Sequence, residues 1–183
     1  MNTMNYTKKL IITAMCMALC VVLPLAFHSI PDGGSIFCPM HIPVLLCGIM
    51  LGPVYGIICG IVGPLLSSVI TQMPPMGYLP PMMVELAVYG LVTGIMMCFV
   101  HTKKYITGLY ISLVVGMICG RVVAGIVKAL IFMPGAITLQ MWATSHFVIS
   151  FPGIIVQLIF IPAIVVALKK AKFAPLNDNC KNK

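Results

Sequence analysis

The chain has 183 residues, of which 61% are hydrophobic and only 8% are charged, and its formal net charge is +8. A water-soluble domain of this length needs far more polar surface, so the composition excludes that class and predicts an all-α, polytopic membrane protein. Nine of the eleven basic residues lie outside the apolar runs, at positions 8–9, 103–104 and 169–183. Clusters of this kind mark cytoplasmic ends, so we predict no nucleic-acid partner.

The first apolar run covers about residues 10–27. It follows Lys8 and Lys9 without a signal-peptide cleavage pattern, so we expect it to remain as the first membrane span. Within it, Ala14 and Ala18 lie four residues apart, and small residues at this spacing let another helix approach closely. Ordinary packing within the chain would explain the pair.

The second apolar run, about 36–71, is too long for one membrane span and short for two. The lysines at 8–9 and 103–104 both indicate cytoplasmic ends, so an even number of spans must separate them. The runs at 10–27 and 82–100 supply two spans, and the run at 36–71 must therefore fold as a hairpin.

Glycine and proline place the turn of this hairpin at Leu51-Gly52-Pro53. Glycines recur at every fourth position through the same run, which predicts close packing of helix backbones, at positions 48, 52, 56 and 60.

Apolar runs at about 82–100, 106–132 and 147–168 complete six predicted transmembrane helices with both termini in the cytoplasm. Residues 1–172 would form a single domain, and we expect 173–183 to be a disordered cytoplasmic tail. Three outer loops follow from this topology, and their proline and glycine content predicts non-helical lids, at about 28–37, 72–81 and 133–146.

Catalytic and metal-binding patterns are missing from the sequence. Eight cysteines lie mostly in apolar runs without paired C-x-x-C spacing, so we predict neither a zinc site nor a disulfide framework, and no cofactor. Three acidic residues and four scattered histidines provide no nucleophile–base pair, so the chain is not expected to be an enzyme. A copper(I) site remains an alternative, because thioethers suit this ion, through Met73, Met76, Met82 and Met83 with His41.

Two cations, Arg121 and Lys128, lie inside the run at 106–132, where each costs about 2.5–3.5 kcal/mol to insert. At 1.5 Å per residue Arg121 lies about 22 Å from the inner end, in the outer half of the membrane. Glu85, on the helix running the other way, lies at a similar depth. Either Glu85 and Arg121 form a structural ion pair, or the charges line an outward-open pocket for an anionic solute. The other candidate pocket residues are Tyr89, His41, Met73, Tyr78, Gln140, Trp142, His146 and Gln157.

Four stretches of the chain resemble a known family. They read PMHIPVLLCGIMLGP (39–53), GPLLSSVITQMPP (63–75), ELAVYGLVTG (85–94) and GRVVAGIVKAL (120–130). Together they resemble the substrate-binding (S) components of energy-coupling factor (ECF) vitamin transporters of bacteria, in the branch of pantothenate-type S components.

This resemblance implies a protein of the bacterial plasma membrane that captures a vitamin outside the cell. It implies as partners a transmembrane coupling subunit, docked on Ala14 and Ala18, and two ATPases that power uptake. The chain itself shows no phosphate-binding G-x-x-x-x-G-K-[ST] motif, so it would not hydrolyse ATP. The alternative function is a stand-alone secondary carrier or channel for a small anionic solute.

For the site, the expected ligand is pantothenate. Arg121, helped by Lys128, would bind its carboxylate, because a guanidinium suits a bidentate hold on that group, and Glu85 would position the guanidinium. The loops would then close over the solute through Met73, Tyr78, Trp142 and His146.

Overall fold

Helices make up most of the computed structural model, which describes residues 5–27, 33–100, 105–132 and 139–171. No strand is present in these ranges. The predicted tail at 173–183 lies outside them, as do parts of two predicted outer loops. In chain order the helices are α1 Tyr6–Ala26, α2 Gly33–Phe37, α3 His41–Leu51, α4 Pro53–Thr71, α5 Leu79–Phe99, α6 Tyr105–Val127, α7 Leu139–Ala143 and α8 Phe151–Lys170. Two π-helical turns follow α6 and α7, at Lys128–Phe132 and Thr144–Ile149.

Five helices in the described ranges are long and apolar enough to cross a membrane: α1, α4, α5, α6 with its π turn, and α8. Their outward faces carry large apolar side chains such as Val54, Val69 and Ile159, which suit lipid rather than water. The sixth apolar helix, α3, has only 11 residues and is about 16 Å long at 1.5 Å per residue. The chain is therefore a multi-pass, all-helical membrane protein with one helix shorter than the hydrocarbon core.

The predicted break in the second apolar run is confirmed. Helix α3 ends at Leu51 and α4 begins at Pro53, and the single residue between them, Gly52, has a φ of 99°. This backbone conformation favours glycine, which has no Cβ to clash, and proline is well placed at the first position of a helix.

Glycines bring α5 into backbone contact with α4, as the four-residue spacing predicted. A Cβ added at Gly56 would lie 2.5 Å from the carbonyl oxygen of Gly90, and one at Gly60 would lie 2.6 Å from that of Leu86. Neither distance is possible for a real side chain. Because the later residue of α4 faces the earlier residue of α5, the two helices are antiparallel.

The same reasoning fixes the directions of α6 and α3. Gly116 of α6 faces Thr93, and Gly120 faces Tyr89, so α5 and α6 are antiparallel. Along α3, His41 lies beside Glu85 and Tyr89, whereas the later Gly48 lies beside Thr93, so α3 runs parallel to α5.

The structure corrects two expectations from the sequence. The outer loops are not wholly non-helical, because Gly33–Phe37 and Leu139–Ala143 form short helices. Neither segment contains proline, so each can pair its own backbone groups, which a membrane protein needs wherever water is excluded. Among the cysteines, Cys16, Cys20, Cys47 and Cys59 are buried free thiols in the apolar core. Cys98, however, is disulfide-bonded, which the prediction of no disulfide framework did not anticipate.

Candidate functional site

A chain of buried polar side chains joins α6, α5 and α3. Arg121 is only 2% exposed, and its Nε donates a hydrogen bond to the hydroxyl of Tyr89 over 3.0 Å. That hydroxyl in turn donates to Oε1 of Glu85 over 3.1 Å. Nε2 of His41 lies 3.5 Å from the same carboxylate oxygen. Tyr89 thus links the buried cation to the carboxylate, and His41 approaches the carboxylate from α3.

Glycine at position 120 makes this arrangement possible. A Cβ there would lie 2.5 Å from Cδ1 and Cε1 of Tyr89, so only a glycine lets the ring lie against α6 beside Arg121. On its other side the Tyr89 ring meets the imidazole of His41 edge-on, with the ring centroids 5.0 Å apart. Packing therefore holds the Tyr89 hydroxyl between Arg121 and Glu85.

The charges of this region do not balance. Glu85 is the only carboxylate in the described ranges, and Arg121 is the cation linked to it through Tyr89. A second cation, Lys128, lies seven residues beyond Arg121, and its Nζ is 5.6 Å from the centroid of the Tyr78 ring. An aromatic face stabilises an ammonium group but does not neutralise it. Among the described residues, the end of the molecule that holds Arg121 and Lys128 therefore carries one more cation than carboxylate.

The segment 139–149 lies over Arg121. Nε1 of Trp142 donates to the backbone carbonyl oxygen of Arg121 over 3.3 Å, and the indole occupies space that Gly125 leaves open. The Phe147 ring centroid lies 5.6 Å from Cζ of Arg121, and the Phe147 and Trp142 rings meet edge-on at 5.5 Å. Trp142 thus contacts the backbone of Arg121, and the Phe147 ring lies near its guanidinium.

A second polar group adjoins His41. The backbone N–H of His41 donates to the carbonyl oxygen of Cys38 over 3.1 Å, and Nε2 of Gln157 on α8 donates to the same oxygen over 3.5 Å. Cys38 has a φ of 47°, a left-handed conformation uncommon for residues other than glycine, which places its carbonyl between α3 and α8.

Two acceptors in this second group are left without partners. Nδ1 of His41 and Oε1 of Gln157 are buried and make no hydrogen bond to the described part of the chain. A buried polar atom without a partner costs about 1–3 kcal/mol. Sites that bind polar ligands tolerate this cost, because the ligand supplies the missing hydrogen bond.

The structure brings together only some of the predicted site residues. His41, Glu85, Tyr89, Arg121 and Trp142 form one contact series, while Gln157 joins it through Cys38 and Lys128 pairs with Tyr78.

The remaining predicted residues do not join this series in the described contacts. Met73 is half-buried and its backbone N–H donates to Thr71, Gln140 is exposed, and the His146 side chain lies outside the described part.

Two residues of the site, Cys38 and Phe147, were not predicted. Phe147 lies in an apolar run where one aromatic side chain gives no distinguishing signal. The only signal for Cys38 is the following Pro39, which indicates a turn. In the described ranges, no three His, Cys, Asp or Glu side chains are arranged to hold a metal ion.

A protein-family model matches the chain. The family model described as ECF transporter, substrate-specific component, matches residues 8–174, which is most of the chain. No curated protein matches the chain.

Proposed function

We propose a substrate for this chain from one premise: it belongs to the energy-coupling factor (ECF) transporter family as a substrate-specific component, the non-catalytic membrane subunit that binds the solute. The proposed substrate is pantothenate, captured on the outer face of the bacterial plasma membrane. Import would then depend on a transmembrane coupling subunit and two ATPases. The observation that carries the proposal is the buried Arg121 with its link through Tyr89 to Glu85.

The charge of the site supports an acidic substrate. A guanidinium offers a planar fork of donors that matches a carboxylate, and burial strengthens such a contact because water does not compete. Glu85 acts through Tyr89 to hold the Arg121 side chain in place, and Lys128 supplies further positive potential. Pantothenate carries one carboxylate, so it fits this excess of positive charge.

In this proposal the outer segments act as a lid. Trp142 already covers Arg121, and Tyr78 already covers Lys128. Opening of these contacts would admit the solute, and their closure, with Met73 and His146 contributing from the same segments, would exclude water from it.

Transport of radiolabelled pantothenate in liposomes tests the proposal. The purified chain alone is expected to bind pantothenate without accumulating it, because nothing in the chain couples ATP to movement. Liposomes that also contain the coupling subunit and both ATPases should accumulate it when ATP is enclosed. Accumulation by the chain alone would overturn this function and support the alternative, a stand-alone secondary carrier or channel for a small anion.

We also propose six membrane crossings with both termini in the cytoplasm. Antiparallel α4–α5 and α5–α6 pairs support this, as does the parallel α3–α5 pair, in which α3 with α2 would form the short second crossing. Lys9 contacts the Tyr55 ring at the first turn of α4, and Lys169 contacts the Tyr105 ring at the start of α6, so basic residues gather at one end of the bundle.

Cysteine labelling tests this topology. In cells, a membrane-impermeant maleimide should label Gly77→Cys directly and Lys104→Cys only after permeabilisation. Gly77 is exposed with open space around it, so the substitution should not disturb the fold. The unsubstituted chain reports background from its own cysteines. Labelling of both positions from one side of the membrane would contradict the six-crossing arrangement.

A further inference from the structure

The two unpartnered atoms form a second polar group of the site, next to the series of contacts from Arg121 through Tyr89 to Glu85. His41 is 5% exposed and Gln157 is 1% exposed, so both side chains are more than nine-tenths buried. The free atoms are Nδ1 of the imidazole and Oε1 of the amide. We call Arg121 and Lys128 the cationic pole of the site, and the two unpartnered atoms its accepting pole. His41 is linked to the first through Glu85, and to Gln157 through the carbonyl oxygen of Cys38.

The chemistry of the accepting pole follows from the bonds already made. Nε2 of Gln157 donates to the carbonyl oxygen of Cys38, which fixes the amide so that its oxygen is the atom left over. A neutral His41 imidazole would carry its one ring proton on Nε2, which faces the Glu85 carboxylate, and Nδ1 would then present a lone pair. Both unpartnered atoms therefore need a donor.

A third buried polar atom also lacks a partner, but it lies outside the site. The Tyr105 hydroxyl is also buried without a partner among the described residues, but it lies at the opposite end of α6, beside Lys169. The two acceptors differ from it because their residues, His41 on α3 and Gln157 on α8, both donate a hydrogen bond to the carbonyl oxygen of Cys38.

We infer that the substrate carries hydroxyl donors as well as its acidic group, and that His41 Nδ1 and Gln157 Oε1 accept from them. This inference rests on the proposed function, because it assigns the orientation of a substrate in the same site. The acid end points to Arg121 on α6, and the donor end lies between α3 and α8. A site with such acceptors rejects an analogue that lacks the donors, because the acceptors stay unpaired.

Paired ligands and paired variants test the inference. The probes are pantothenate, which has two hydroxyls and an amide N–H, and N-(3,3-dimethylbutanoyl)-β-alanine, in which hydrogen replaces both hydroxyls. The unsubstituted chain should bind the second probe at least about tenfold more weakly. In Gln157→Met, which has a similar size and no amide, the ratio between the two probes should fall towards one.

The control is Ser112→Ala, since Ser112 is equally buried but its hydroxyl already donates to the carbonyl oxygen of Gly108. It should keep the full ratio. Equal affinity of the unsubstituted chain for both probes would overturn the inference and leave the proposed function intact. Because this comparison uses only the unsubstituted chain, its outcome does not depend on whether a variant folds. Failure of the chain to bind pantothenate at all would instead overturn the proposed substrate.

Discussion

Replacing Arg121 with glutamine is expected to weaken pantothenate binding some ten- to a hundredfold. Glutamine removes the positive charge but keeps a polar side chain of moderate size. The loss corresponds to one charge-assisted hydrogen-bonding contact, worth about 1.5–3 kcal/mol, at about 1.4 kcal/mol for each factor of ten in affinity. Isothermal titration of the detergent-solubilised protein measures it, and Arg121→Lys should fall in between, because an ammonium keeps the charge and loses the fork.

Two further variants separate binding from folding. Lys169→Gln removes one positive charge at the opposite end of the bundle, where Nζ lies 3.9 Å from the Tyr105 ring centroid, and it should leave affinity unchanged. Arg121→Gln removes the cation that Tyr89 links to Glu85, whose side chain is only 13% exposed, so thermal stability should drop as well. The double variant with Glu85→Gln also removes the negative charge and should regain stability without regaining affinity. Unchanged affinity in Arg121→Gln, with lowered stability alone, would make Arg121 a structural partner of Glu85.

Replacing Ala18 with tryptophan is expected to abolish pantothenate uptake and to leave pantothenate binding unchanged. Ala14 and Ala18 are both exposed on α1, and large apolar side chains surround them on the same surface. Two small residues four apart let a partner helix come close, and an indole at either position would hold that helix away. Uptake is measured in liposomes with the coupling subunit and ATPases, and binding with the purified chain alone.

A tryptophan elsewhere on the lipid-facing surface is the control. Ile159 on α8 is 61% exposed, so Ile159→Trp adds the same bulk on another helix and should permit uptake. Loss of binding in Ala18→Trp would mean that the alanine pair packs α1 within the chain. The exposure of both alanines is the structural observation that favours docking over that alternative.

The proximity of Glu85 and Arg121 on neighbouring helices was the part of the site that could be predicted from the sequence. A fixed rise per residue, with helices counted from the lysine clusters, placed Glu85 and Arg121 at one level. The structure joins them through Tyr89, which lies one turn from Glu85 on the same helix face. The hairpin break at Gly52 was equally predictable, because glycine and proline act on the backbone locally.

Which helices pack side by side around the site could not be predicted in the same way. That Tyr89 fits against α6 depends on the missing side chain at Gly120, and the sequence does not state which helix a glycine faces. Helices α2 and α7 have five residues each, too few for an apolar period to appear. The position of the Cys38 carbonyl depends on the left-handed backbone conformation of Cys38 itself, and apart from Pro39 the neighbouring residues do not indicate that conformation.

The glycine contacts also bear on how such a protein changes its cargo over evolution. At Gly56, Gly60 and Gly90 the helices meet through main-chain atoms, whereas the polar cluster consists of side chains such as His41 and Gln157. Mutations at the cluster leave the main-chain contacts as they were. The exposed alanines of α1 are a third, separate set of positions. In the roles proposed for them, solute binding and partner docking can therefore change independently of each other, and neither change disturbs the packing of the helices.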